Sequence, residues 1–169
     1  MTSRAEPRLL QMSQRMRKAT LVVHIVSAGA WIGIDVIVGV LVMAGWFTAD
    51  PSIQGLAYMA LGTFAVGPML TTGLVCLASG VLLGLGTRYG LIRYWWVAIK
   101  LVMNVVLCTL IIVALRPGMP DLVEHGRSLL AMGPSDLNVS GLFFPPAVSL
   151  TVLIAATCLA VFKPLGRLR

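Results

Sequence analysis

Three side chains interrupt otherwise apolar stretches of this 169-residue chain: His24, Asp35 and Lys100. Inside a membrane-spanning helix a charged Asp or Lys costs at least about 2.5–3.5 kcal/mol on insertion scales, so each such residue is a functional candidate by default. Their chemistry is that of proton-active groups: an imidazole, a carboxyl and an ammonium. Asp35 carries the most information, because it lies too deep for its short side chain to reach an interface. It must be protonated, paired or wet. A protonated Asp35 bonded to Thr72 or Asn104 would be a purely structural solution. Lys100 has the corresponding simple alternative of extending its stem to the headgroups, and His24 that of a neutral imidazole held by a backbone carbonyl.

Spacing ties these residues together. On a helix turning about 100° per residue, His24, Trp31 and Asp35 fall within about 20° of one line, with Ala28 between them. Lys100, Asn104 and Cys108 are spaced by four and form a second stripe. At about 1.5 Å per residue, His24 lies about 6 Å and Asp35 about 22 Å into the first apolar run, and Lys100 about 8–10 Å into the third. His24 and Lys100 therefore share a level, and Asp35 shares one with Asn104, Cys108, Thr71 and Thr72.

The elements that must position these stripes follow from composition. The chain is 58% hydrophobic and 11% charged, with a mean hydropathy of +0.92. Soluble domains carry about 25% charged residues, so an ordinary cytosolic enzyme, a disordered chain and a secreted disulfide scaffold are all excluded. About 20 mainly apolar residues span a bilayer core, and four runs are long enough: 20–47, 58–85, 95–115 and 142–162. The expected fold is an all-α transmembrane four-helix bundle forming a single domain.

Orientation comes from the loop charges. Ten basic residues lie in the amino-terminal segment (Arg4, Arg8, Arg15, Arg17, Lys18), the second loop (Arg88, Arg93) and the tail (Lys163, Arg167, Arg169). The other two loops hold only two, Arg116 and Arg127. The positive-inside rule then places both termini in the cytoplasm. The net charge of +7 reflects this topology and anionic headgroups, and no basic soluble module suggests nucleic acid. Ala28-Gly29-Ala30 resembles a signal-peptidase site, but the apolar run continues past it, so the first helix is expected to remain uncleaved.

Smaller features complete the expectation. Pro145 and Pro146 suit the first turn of the fourth helix, and Pro68 should bend the second and free a carbonyl. Gly73, Gly80 and Gly84 on the second helix offer a close-approach face. In the third loop, Leu122, Val123, Leu129, Leu130 and Met132, bracketed by Pro117, Pro120 and Pro134, predict a short amphipathic helix on the outer surface. Cys76, Cys108 and Cys158 lack disulfide or metal spacing and are expected to pack. The nine methionines form no Met-x-x-Met cluster, and no metal site is expected.

His24 followed by Trp31, with Trp95-Trp96-Val-Ala-Ile-Lys100-Leu101 in the third span, resembles the small membrane families around copper-resistance protein D and the HemJ-type protoporphyrinogen oxidases. It also resembles bacterial four-span membrane families of unknown function. The likeness covers the first three spans loosely. It implies a protein of the bacterial cytoplasmic membrane in which His24 binds haem b or a related tetrapyrrole, with Lys100 as its functional partner. The stretch after Trp31 lacks the arginine and second histidine of the HemJ pattern, leaving a second axial ligand to a methionine, Lys100 or a partner subunit. The other expectation is a non-catalytic membrane subunit or transporter component, a homo- or hetero-oligomer using Asp35 and the glycine face to engage its partner.

Overall fold

The computed structural model describes residues 12–86, 94–133 and 137–162. It is all-helical among these residues. The main helices are α1 (Gln14–Phe47), α2 (Pro51–Phe64), α3 (Val66–Gly86), α4 (Trp95–Leu110), α5 (Met119–Leu130) and α6 (Phe144–Phe162). Four helical stretches, Gln14–Phe47, Pro51–Gly86, Trp95–Leu130 and Ser140–Phe162, are long and apolar enough to cross a membrane. The basic residues Arg4, Arg8, Arg88, Arg93, Lys163, Arg167 and Arg169, and Pro134, lie outside the described residues.

The helices overrun the expected spans for local reasons. α1 begins at Gln14, six residues before Thr20, because the Ser13 side chain caps it by accepting from the Met16 amide at 3.2 Å. α2 starts at Pro51 behind an Asp50 cap that accepts from the Ser52 amide at 2.8 Å, well before Tyr58. The second apolar run is thus two helices, separated at Ala65. Pro68 cannot donate a hydrogen bond to the Phe64 carbonyl, and the break falls at that point.

The third run continues from α4 through a π-helical segment (Ile111–Leu115) and a 3-10 turn (Arg116–Gly118) into α5. α5 falls after the expected 95–115 span, with Glu124 and Arg127 exposed and 3.6 Å apart. The expected amphipathic helix is present, but it does not lie alone on a surface. Its Met119, Leu122 and Gly126 face is buried, and α5 packs against α2. The reason is small residues on both helices: an added Cβ at Gly126 would sit 2.6 Å from the Gly55 carbonyl oxygen, and one at Gly55 would sit 2.7 Å from that of Gly126.

His125 of α5 rests against the Tyr58 ring, with centroids 5.3 Å apart. Burial holds this imidazole below its ordinary pKa, so the packed pair favours the neutral ring. The unfolded chain takes up the proton first as pH falls through the ordinary imidazole range, so stability declines toward acid. Between pH 8 and pH 5 the wild type should lose melting temperature relative to His125→Gln, the difference between the two detergent-solubilised proteins reading the His125 contribution alone.

α1 is the central element, packed against α2, α3 and α6, while α4 bridges α3 and α6. Its buried positions are Ser27, Trp31, Asp35, Val38, Val42 and Gly45, a three-and-four spacing of the kind that makes a packed seam. The opposite face presents Val22, Ile25, Val26, Ile37 and Val40 outward. The outward face of α1 is therefore apolar, while Ser27, Asp35, Ser79 and Ser149 are buried inside the bundle.

Candidate functional site

Two seven-residue spacings build the core of the site. His24 and Trp31 on α1 lie against Gly80 and Gly73 on α3. A Cβ at Gly80 would meet the His24 ring carbon at 3.1 Å, and one at Gly73 would meet the Trp31 ring at 2.9 Å and the Cys108 sulfur at 3.0 Å. The glycines expected to form a close-approach face thus receive two large α1 side chains of the same chain. Trp31 is fully buried.

The His24 ring is oriented by α3. Its Nδ1 lies 3.0 Å from the Cys76 carbonyl oxygen and 3.1 Å from Ser79 Oγ. A carbonyl can only accept, so Nδ1 carries the hydrogen and donates it. In the neutral ring the lone pair then belongs to Nε2. Ser79 is itself held in place, its hydroxyl lying 2.7 Å from the Val75 carbonyl and 3.0 Å from that of Cys76. The Cys76 sulfur is 3.7 Å from Nδ1. Ser27, one turn along α1, donates to the His24 carbonyl at 3.0 Å.

Lys100 arrives from α4 at the same level. Its ammonium sits 4.7 Å from the centre of the Trp96 ring, a cation–π contact between residues four apart. α4, which carries Lys100, packs against α3, whose Cys76 and Ser79 hold the His24 ring. Asn104, one turn further along α4, accepts from the Cys108 thiol at 3.5 Å.

Asp35 is fully buried, and its partner is one the sequence reasoning missed. Ser149 of α6, also buried, donates to Asp35 Oδ2 at 2.5 Å. Neither expected structural partner takes that role. The Thr72 hydroxyl is turned back to the Pro68 and Met69 carbonyls, at 2.8 and 3.1 Å, and Asn104 faces the Cys108 thiol. Depth places Ser149 among the hydroxyls level with Asp35, about 10 Å from the Leu142 end of the fourth apolar run, without singling it out. Two atoms here remain without a hydrogen-bond partner, Asp35 Oδ1 and Trp31 Nε1.

Of the cysteines, Cys76 and Cys108 pack in the core as expected, whereas Cys158 is exposed on the apolar exterior of α6. Among the described residues no group of three or more His, Cys, Asp or Glu side chains is placed to hold a metal ion. The donor set does fit a group held by a single imidazole. A histidine whose Nδ1–H is anchored on a backbone carbonyl is the usual arrangement for ligation through Nε2, and the neighbouring ammonium suits a carboxylate-bearing ligand. Compared with models of known protein families, with curated proteins and with solved structures, the chain matches none.

Proposed function

We propose that the chain is a multi-pass protein of the bacterial cytoplasmic membrane, both termini cytoplasmic, that binds haem b or a related tetrapyrrole through Nε2 of His24. The observation that carries this reading is the hydrogen bond from Nδ1 to the Cys76 carbonyl, which fixes the tautomer and directs the lone pair to Nε2. The outward-facing apolar side chains of α1 support the membrane location.

Each residue has a distinct task in this reading. His24 ligates, the Cys76 carbonyl and Ser79 hold its ring, and Gly80 leaves room for that ring against α3. Lys100, steadied by Trp96, pairs with a propionate, and its level near the amino-terminal end of α1 suits groups that prefer the interface. Bound haem would supply one-electron redox chemistry.

Purified protein expressed with haem supplementation should show a Soret band, and His24→Ala should lose it. Absence of the band in the wild type, or an unchanged band in the variant, overturns the reading. Lys100→Met should retain the band but weaken haem affinity, by about tenfold if one charge-assisted pair of about 1.4 kcal/mol is lost.

A second reading, a non-catalytic subunit or transporter component, draws support from Asp35, a carboxyl with one unpartnered oxygen at the centre of the bundle. Full transport and partner co-purification by Asp35→Asn would count against it.

A further inference from the structure

Among the described residues, Asp35 has no counter-charge on the helices packed around it. α1 packs against α2, α3 and α6, and none of these three helices contains a single Asp, Glu, Lys, Arg or His. α4 contributes only Lys100, which is level with His24. His24 itself lies eleven residues before Asp35 on α1, about 16 Å along the axis, beyond the length of a lysine side chain. A bare carboxylate removed from water with no cation to meet it is among the costliest arrangements a bundle can contain. A bound proton removes the charge.

The hydrogen-bond pattern says where that proton sits. Oδ2 accepts from Ser149 and therefore behaves as the carbonyl oxygen of an acid. The hydrogen falls on Oδ1, the oxygen with no partner. One turn back on the same buried stripe, Trp31 Nε1–H is a second donor with no partner. Each of these two buried groups, one turn apart, calls for a partner, and an ordered water is the kind of group that satisfies such atoms.

The two ends of the bundle differ in what surrounds this acid. Toward His24 and Lys100 run the polar side chains of Ser27, Cys76, Ser79 and Asn104. Toward the other end, one turn beyond Asp35 and Ser149, a small cavity of about 20 Å³ is walled by apolar groups, among them Val38, Val42, Leu61, Leu122, Leu142 and Pro146.

We propose that Asp35 is a proton-binding site: a carboxylic acid exchanging its proton through water held at Trp31 and Oδ1, along a polar path open toward His24 and Lys100 and shut toward the opposite end. The inference stands whether or not His24 carries haem. It deepens the second functional reading by naming the proton as what Asp35 binds.

The test reads the carboxyl directly, so a failure to transport would overturn that second reading without touching this one. Infrared spectra of the full chain in phosphatidylcholine vesicles at pH 7 should show the carbonyl stretch of a protonated carboxyl. The band should be absent in Asp35→Asn and displaced in Asp35→Glu, which keeps the acid. In heavy water it should shift as the proton exchanges, and Asn104→Leu should slow that exchange about tenfold. If Asp35→Asn does not fold, ¹³C-labelling of aspartate carboxyls shows that the band belongs to one of the four aspartates, and loss of the label shift in Asp35→Glu, which keeps the acid, assigns it to position 35. The proposal is overturned if there is no acid band at pH 7, if the band persists in Asp35→Asn, or if it does not respond to heavy water. Unchanged exchange in Asn104→Leu overturns the path.

Discussion

Replacing Trp31 with alanine is expected to destabilise the bundle by about 3–5 kcal/mol, the range for removing a large buried aromatic. The indole is fully buried and fills the space left by the missing side chain of Gly73, against the Cys108 sulfur. Nothing opposite can collapse into the gap, because the facing residue is already a glycine. Trp31→Phe makes a sharp contrast. It keeps most of the aromatic packing and removes a buried donor that has no protein partner, so it should cost less than about 1.5 kcal/mol. Reversible unfolding in mixed detergent micelles measures both. Equal losses in the two variants would show that the indole N–H, and not the ring, holds the helices together.

Substituting Gly126 with valine should separate α5 from α2, at a cost of about 1–3 kcal/mol. The Cβ at this position would stand 2.6 Å from the Gly55 carbonyl oxygen and 2.9 Å from the Met59 amide nitrogen. Both obstacles are backbone, so no rotamer change relieves the contact and the helices must move apart. Gly80→Ala provides the control. Its nearest obstacle is the edge of the His24 ring at 3.1 Å, so a small ring displacement suffices and its effect should fall on His24 instead of on α5. Limited proteolysis within residues 131–139 should accelerate in Gly126→Val and remain unchanged in Gly80→Ala.

These two cases mark what could be read from the sequence and what could not. Apolar run length and helical periodicity located the four long helices, because those signals are local. The His24, Trp31 and Asp35 stripe was legible for the same reason: a single helix face is a property of spacing alone. The helix ends were less so, since the Ser13 and Asp50 caps carry helices past the apolar boundary. The α2 and α5 pairing was hidden, because Gly55 and Gly126 are seventy-one positions apart and a glycine announces room without naming its occupant.

Within the site, level counting could not choose among hydroxyls at the level of Asp35. Thr72 satisfies itself on its own helix, a habit shared by Thr151 and Thr157 on α6. Ser149 alone on α6 reaches across to another helix. That choice depends on which face α6 turns inward, which its nearly uniform apolarity does not encode.

The central claim is that Nε2 of His24 is a ligating nitrogen, held ready by the Cys76 carbonyl. Its most direct test is haem titration of His24→Gly with and without free imidazole, followed at the Soret band. The expected result is loss of the band in the variant and its return on adding imidazole, which restores the ligand without restoring the side chain. A variant that binds haem as the wild type does, or one that imidazole leaves unchanged while the wild type binds, would contradict it.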